Sequence, residues 1–184
     1  MAEPAAASTA FIAAMADEYH ALRSLAERAA AQVADEQFFA TLDSEANSVA
    51  TLMKHIGGNL HSRWRDFRTS DGEKADRHRD SEFEPVESRE GIVEIWTRGW
   101  TTLDDALVGL TAADISGHVV IRGEQIPLPR ALTRNLSHVA GHVHQLVLLA
   151  KHWAGPSWKT LSIPRGMSEQ ARLRGVSGAA GPRA

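Results

Sequence analysis

Apolar residues recur at steps of three and four along four stretches of the chain, which is the periodicity of an amphipathic α-helix. In the first stretch the apolar stripe consists of Ile12, Met15, Tyr19, Leu22, Ala26, Ala29 and Val33. The second predicted helix covers residues 44–67, the third runs from Ser88, a suitable N-cap, to Leu110, and the fourth covers residues 130–153. Four amphipathic helices in one chain predict an all-α fold, and specifically a four-helix bundle.

The segments between these helices are more polar and richer in turn residues. We expect a short turn at 35–39, a long crossover loop at 68–87, and a small β-hairpin of strands 118–122 and 125–128 that turns at Gly123 and Glu124. Gly57 and Gly58 lie inside the second helix, where glycines favour the close approach of a neighbouring element. Residues 1–165 are predicted to form one domain, and residues 166–184 a mobile C-terminal tail.

The composition mainly excludes certain partners and certain kinds of site. Of the 184 residues 43% are hydrophobic, and 20 basic and 23 acidic side chains give a net charge of −3. This balance provides no general attraction to nucleic acid or to anionic membranes, and no apolar run reaches the length of about 18 residues that spans a bilayer. The absence of cysteine excludes disulfides, thiolate metal sites and a cysteine nucleophile. No signal peptide is recognised, so a cytoplasmic location is the default expectation.

Residues 63–79 have a local excess of basic side chains. The basic residues are Arg63, Arg65, Arg68, Lys74, Arg77 and Arg79, and the acidic residues are Asp66, Asp71, Glu73 and Asp76, so the net charge is +2. Because the two signs are interspersed, we interpret the segment as a solvated loop that caps a pocket rather than as a nucleic-acid-binding surface.

The candidate chemistry lies in three histidines. His138 and His142 are four residues apart, so they lie one above the other on the fourth predicted helix. His55 lies on the second predicted helix, in a polar stripe beside the apolar face. Asn59 belongs to the stripe of His55, and Gln145 belongs to the stripe of the other two. Because buried polar side chains need partners, two such stripes that meet inside a bundle favour a metal ion held by three imidazoles.

The spacing alone does not separate metal ligands from ordinary surface or packed histidines, because nine histidines in 184 residues make chance pairs common. The zinc-protease motif is absent, since Val139 stands where that motif has its glutamate. No carboxylate ligand is visible in the pattern, although the first helix could supply one. His61 and His144 are expected to face away from the site, and His20 is an outside candidate for the pocket.

Three stretches of the chain carry motifs that are more specific than helical periodicity. The first, residues 44–74, contains NSV at 47–49, KHI at 54–56 and TSDGEK at 69–74, and continues as RD at 79–80 and EFE at 82–84. The second is SHVAGHVHQLVLLAK at 137–151, and the third is WKTLSIPRG at 158–166. Together they cover most of the chain, and in these motifs and their order the chain resembles the DinB-like superfamily of metalloenzymes, in a branch described as a domain of unknown function.

This resemblance implies a four-helix bundle with a long crossover. It also implies a metal ion held by one histidine on the second helix and two on the fourth, positions that fall on His55, His138 and His142. The chain departs from the family pattern at His144, where glycine is expected. Relatives in the superfamily include thiol S-transferases that use low-molecular-weight thiols such as bacillithiol or mycothiol, and other members are metal-dependent isomerases or hydrolase-like enzymes.

Three neutral imidazoles leave at least one metal position open, which is typical of catalytic rather than structural zinc. Zinc is the first choice of metal, and nickel, iron and manganese are alternatives because imidazole ligands discriminate poorly among them. We therefore expect a metal-dependent thiol S-transferase in which Asn59 and Gln145 are candidates for orienting substrate or water. The alternative is a non-enzymatic stress-response protein that binds a metal or a small ligand. Trp96, Trp100 and Trp153 are expected to fill the core or a subunit interface, which would suit a homodimer.

Overall fold

The computed structural model describes residues 2–84 and 88–173, and this part of the chain is mostly helical with one small β-hairpin. The helices are α1 (Ala2–Ala30), α2 (Asp35–Phe39), α3 (Val49–Trp64), α4 (Arg89–Val108), α5 (Leu128–Ala154) and α6 (Ser168–Leu173). The strands are β1 (His118–Ile121) and β2 (Glu124–Pro127), which pair antiparallel between α4 and α5. The predicted order of long helices and hairpin is thus confirmed, and the predicted turn at 35–39 is a one-turn helix.

Side-chain caps decide where the two middle long helices begin. The hydroxyl of Ser88 accepts a hydrogen bond from the backbone N–H of Gly91 at 3.1 Å, so the predicted N-cap of α4 is confirmed. In α3 the same role belongs to Ser48, whose hydroxyl accepts from the backbone N–H of Thr51 at 3.0 Å. The helix therefore starts at Val49, later than the predicted residue 44.

The end of α3 also differs from the prediction. The helix ends at Trp64 instead of continuing to residue 67, and Asp66 has a φ of 49°. This left-handed conformation cannot continue an α-helix. Apolar periodicity runs past the boundary because Phe67 is still buried, packing its ring against Trp64.

The four long helices contact one another around a common core. Helix α3 packs along α4 and α1 packs along α5, while contacts between α3 and α5 and between α1 and α4 join the two pairs. Trp96 and Trp100 are buried in this core, whereas Trp153 is only partly buried. The largest fully buried side chains also include Tyr19, Phe38, Leu52, Ile56, Leu60, Ile92, Leu103, Leu132 and Leu146.

Glycines allow α3 and α4 to approach closely. A Cβ atom added to Gly57 would lie 2.6 Å from the carbonyl oxygen of Ile95, and one added to Gly99 would lie 2.3 Å from the carbonyl oxygen of Gly57. Real Cβ atoms essentially never come so near to backbone atoms. The expectation that the glycines of the second long helix serve close packing is therefore confirmed at Gly57.

The hairpin turns one residue earlier than predicted. Ile121 pairs with Glu124, so the turn residues are Arg122 and Gly123, and both have positive φ, of 57° and 75°. A two-residue hairpin turn with positive φ at both positions matches the right-handed twist of the strands. The carboxylate of Asp71 accepts hydrogen bonds from the backbone N–H groups of these two residues at 2.8 and 2.7 Å, which ties the predicted crossover loop to the hairpin.

The predicted C-terminal tail is partly described. Helix α6 lies within it, and residues 174–184 lie outside the described residues, so mobility of the tail stays a prediction. Within residues 2–84 and 88–173, no helix combines the length and the apolar character that crossing a bilayer requires.

Candidate metal centre

The three predicted histidines come together between α3 and α5. His55 is buried on α3, and His138 and His142 are partly buried on adjacent turns of α5. Each offers one ring nitrogen to a set in which all ligand atoms lie within 4.8 Å of one another. Their rings meet edge to face, with centroids 4.5 to 5.1 Å apart. The three side chains therefore lie close enough to hold a metal ion.

In two of the three rings Nδ1, the outer nitrogen, faces an acceptor, while Nε2, the inner nitrogen, faces the other histidines. The Nδ1 atom of His55 lies 2.8 Å from the carboxylate of Glu82, and the Nδ1 atom of His142 lies 3.2 Å from the amide oxygen of Gln145. An oxygen of this kind can only accept, so both Nδ1 atoms carry the proton in a neutral ring. The Nε2 atoms of these two residues consequently have free lone pairs.

The inner nitrogens of His55 and His138 face each other. The Nε2 atom of His55 lies 3.1 Å from the Nε2 atom of His138. Because His55 presents a lone pair there, the contact is a hydrogen bond only if His138 is protonated at Nε2, and it is repulsive otherwise. A divalent cation would accept both lone pairs and remove the conflict.

Glu82 is the site residue that sequence reasoning missed. It lies in a 3-10 turn (Asp80–Phe83) within the long segment between α3 and α4, not on the first helix from which a carboxylate was considered. Arg77 donates to both of its oxygens, from Nε at 2.8 Å and from Nη2 at 2.9 Å. Lys54 donates to the backbone carbonyls of Ser81 and Glu84 and so fixes the turn to α3. The sequence signals were the position of Glu82 in a polar loop expected to cap a pocket and its place in the EFE motif at 82–84.

Gly58 leaves the space that Glu82 occupies. A Cβ atom at this position would lie 2.7 Å from the Oε1 atom of Glu82 and 3.1 Å from its Cδ atom. Although burial alone would raise the pKa of the Glu82 carboxyl, hydrogen bonds from His55 and Arg77 hold that pKa below its ordinary value. Glu82 is thus a carboxylate at neutral pH, as an acceptor for the His55 N–H must be.

The two histidines of α5 are held in the neutral form. Burial, together with the neighbouring His142, His55 and Arg77, lowers the pKa of His138 to about 4. Burial also lowers the pKa of His142, against the opposing effect of its hydrogen bond to Gln145. A neutral imidazole is the form that binds a metal, so the environment prepares both rings for ligation at neutral pH.

A second polar cluster lies one helical turn away. The Oδ1 atom of Asn135 accepts hydrogen bonds from Nε1 of Trp64 at 2.9 Å and from the hydroxyl of Tyr19 at 3.0 Å. Its Nδ2 atom donates to Oδ1 of Asn59 at 2.8 Å. The predicted site residue Asn59 therefore belongs to this cluster, and Gln145 contacts a histidine instead of an open space.

A cavity of about 370 Å³ adjoins the histidines. His55, Asn59, Asn135 and His138 lie along its wall, and the hairpin contributes Ile121 and Ile126. The remaining lining is dominated by guanidinium groups, from Arg63, Arg77, Arg79, Arg122 and Arg134. On another side the ring of Phe83 lies 5.0 Å from the ring of His55.

The remaining histidines lie elsewhere. His61 contacts the hydroxyl of Thr102 at 2.8 Å, and Nδ1 of the exposed His144 donates to the carbonyl of Ala140 at 2.7 Å. His20 pairs with Asp104 at 3.0 Å on the surface between α1 and α4, so it does not join the site. Among the described residues, no second group of this kind is close enough to hold an ion.

The comparisons with known proteins give a family and no activity. Neither the curated proteins nor the solved structures include a match to this chain. One family model matches residues 6–167, a region that includes the three histidines and Glu82. Its description is "Protein of unknown function (DUF1572)". Because the match covers most of the chain, the protein belongs to the DUF1572 family.

Proposed function

We propose that the protein is a metal-dependent enzyme with its metal held by His55, His138 and His142, built on a four-helix bundle of the DinB-like type. The bundle comprises α1, α3, α4 and α5, with the connection between α3 and α4 as the long crossover. Two observations support this bundle type: these four helices pack against one another, and one histidine lies on the second long helix and two on the fourth.

The observation that carries the proposal is the convergence of three imidazoles, two of which have their outer nitrogen already occupied. Metal-binding histidines usually donate the second ring N–H to a carboxylate or another acceptor, which fixes the tautomer and the ring orientation. Glu82 does this for His55 and Gln145 for His142. Zinc is the preferred ion, with nickel, iron and manganese as alternatives, because neutral imidazoles select weakly among them.

The reaction we propose is the transfer of a low-molecular-weight thiol to a small electrophile. A divalent ion at this site would lower the pKa of a thiol and let it react as the thiolate. The thiol sulfur forms a bond to a carbon atom of the second substrate, the bond from that carbon to its leaving group breaks, and the thiol proton passes to solvent. The histidines hold the ion, and Glu82 and Gln145 keep two of them oriented.

Asn59 is the side chain best placed to orient a substrate. It lines the cavity beside His55, and its Oδ1 atom already accepts from Asn135. It therefore offers the cavity its Nδ2 donors. With three protein ligands, at least one metal position stays open for substrate, which favours catalysis over a purely structural ion.

Elemental analysis of protein purified without an affinity tag or a chelator tests the metal site. We expect about one bound metal per chain, because three imidazoles form one site. The His142→Ala variant should lose it, whereas His144→Ala, two residues along on the outer face of the same helix, should keep it. Absence of metal from the wild type after reconstitution, or full metal content in His142→Ala, would contradict the proposal.

Activity is tested with the metal-loaded protein, a low-molecular-weight thiol and a small electrophile. The expected result is loss of free thiol and formation of the thioether in the wild type and in His144→Ala, and only the background rate in His142→Ala. A protein that holds stoichiometric metal but turns over no thiol and electrophile pair would instead support the non-enzymatic binding protein.

A further inference from the structure

The cavity beside the histidines concentrates positive charge. Five guanidinium groups line it, and Glu124 is the one carboxylate among its lining residues. Two further carboxylates contact these arginines: Glu82 is paired with Arg77, and Glu73 lies 3.2 Å from Arg122 and 3.9 Å from Arg63. Five positive groups against three negative ones leave an excess of two charges. The whole chain has a net charge of −3, so this excess is a local property of the cavity.

Several of the arginines are not fully paired. Neither Arg79 nor Arg134 forms an ion pair with any residue that the structure describes. Arg63 is mostly buried, with 14% of its side chain exposed, and its Nη1 atom has no hydrogen-bond partner within the described residues. Burial lowers the pKa of Arg63, which marks the cost of holding its charge there. A bound oxyanion would give the guanidinium groups that line the cavity a partner in the two-point geometry that they prefer.

The rest of the cavity suggests what else the ligand carries. Ile121 and Ile126 from the hairpin and Ala131 from α5 are buried and form an apolar part of the wall. His55 and His138 lie at the metal site end. The volume of about 370 Å³ is at the small end of the range for small-molecule sites, so the cavity suits a short organic molecule and not a polymer.

We infer that the cavity binds a small organic anion, with its carboxylate or phosphate group on Arg63, Arg122 and Arg134 and its reacting group towards the three histidines. That this anion is a substrate rests on the proposed function, whereas its binding by the arginines does not require the metal. The inference narrows the class of thiol or electrophile to molecules that carry an oxyanion group a short carbon chain away from the reacting atom.

Titration calorimetry with inorganic phosphate and with succinate, on metal-free and zinc-loaded protein at one fixed ionic strength, tests the inference. We expect saturable binding of at least one probe to both forms. Arg134→Gln should weaken it about fivefold, the scale of one exposed ion pair. The matched control is Arg130→Gln, which removes the same charge one turn earlier on α5, from an exposed residue that does not line the cavity, and should change affinity little.

Arg63→Lys provides a second test, because it keeps the charge and removes the planar fork. It should weaken binding about tenfold, with folding checked by thermal unfolding. Tighter binding of succinate would assign the oxyanion as a carboxylate, and tighter binding of phosphate would assign it as a phosphate. Absence of binding of both probes at millimolar concentration, or equal losses in Arg134→Gln and Arg130→Gln, would overturn the inference. The protein could also take up no metal and still bind a probe in a way that depends on Arg134. This outcome would support the anion site and contradict the proposed function.

Discussion

The polar cluster around Asn135 and the histidine cluster lie one helical turn apart between α3 and α5, yet they differ in how their polar atoms are satisfied. Asn135 uses both its oxygen and its nitrogen, and its partners come from two other helices, Tyr19 from α1 and Trp64 and Asn59 from α3. In the histidine cluster, the outer nitrogens of His55 and His142 have partners, and the inner nitrogens of His55 and His138 face each other 3.1 Å apart. In the first arrangement each of these atoms has a hydrogen-bond partner, whereas in the second the contact between the inner nitrogens is a hydrogen bond only when His138 is protonated at Nε2.

The difference is the one that we expect between a structural cluster and the proposed metal site. A buried polar network with every member paired rigidifies the core, whereas a network that leaves lone pairs unmatched costs stability. Natural proteins tolerate such a loss of stability at sites where a bound ligand offsets it. The clusters also differ in their supports, since the asparagine cluster involves helices only and the histidine cluster depends on Glu82 from the 3-10 turn.

Asn135→Leu should have the largest effect on stability. The substitution leaves the N–H of Trp64 and the Oδ1 atom of Asn59 without their present partners, at about 1–3 kcal/mol for each buried group. We expect the free energy of unfolding to fall by about 2–4 kcal/mol in chemical denaturation, with the metal content unchanged. His142→Ala should have the opposite effect. It should lose the metal, whereas the free energies of unfolding of the metal-free variant and the metal-free wild type should differ little. Reversed results in the two variants would remove the distinction between the clusters.

Acid should weaken the histidine cluster selectively. The pKa of His138 falls from its ordinary 6.5 to about 4 on folding, so the unfolded chain binds the proton more readily. Stability of the metal-free protein is therefore fully present above pH 6.5 and is lost as the pH falls towards 4, by on the order of 2 kcal/mol. Chemical denaturation at pH 7 and pH 4.5 measures the change. His138→Gln should show a smaller loss and His144→Gln the same loss as the wild type; an unchanged loss in His138→Gln would assign the effect to other groups.

The helical part of the site could be predicted from the sequence because helix geometry relates neighbours directly. A separation of four residues brings His138 and His142 to one face, and polar stripes indicated that His55 faces them. Helix ends were predicted less well, since they depend on single local interactions. The hydroxyl of Ser48 and the left-handed backbone of Asp66 set the ends of α3, and neither alters the apolar periodicity.

The loop-dependent part of the site could not be predicted in this way. Glu82 reaches His55 only because Arg77, Lys54 and Gly58 together fix the path of an irregular segment, and no periodicity describes such a path. The arginine-lined cavity has the same origin, because its guanidinium groups come from α3, the segment after it, the hairpin and α5. Clusters assembled from loops require the tertiary structure.

Glu82→Gln tests how far the histidine cluster depends on its outer carboxylate. Glutamine keeps the size and can still accept the N–H of His55, but it removes the charge that strengthens that bond and pairs with Arg77. Changes to such outer partners typically cost 10–100-fold in metal affinity. We expect a loss in this range in competition with a chromogenic chelator, with the asparagine cluster little affected. Affinity equal to that of the wild type would show that Glu82 only closes the loop.

Gly58→Ala should produce the smallest effect, because it moves Glu82 without changing its chemistry. The added methyl group would lie 2.7 Å from Oε1 of Glu82, so the carboxylate must shift away from its present position. The atoms nearest to the added methyl group belong to the end of a side chain, which can shift at modest cost, so α3 and α4 should stay packed. Gly57 differs, because the atoms that face it belong to the backbone of α4 and cannot shift in this way. We expect metal affinity to fall about threefold to tenfold, within or below the range for outer partners. Gly141→Ala is the matched control, since its added Cβ meets nothing within 4 Å and alanine favours the helix. Equal metal affinity in the two variants would mean that the position of Glu82 does not limit binding and that the histidines alone hold the ion.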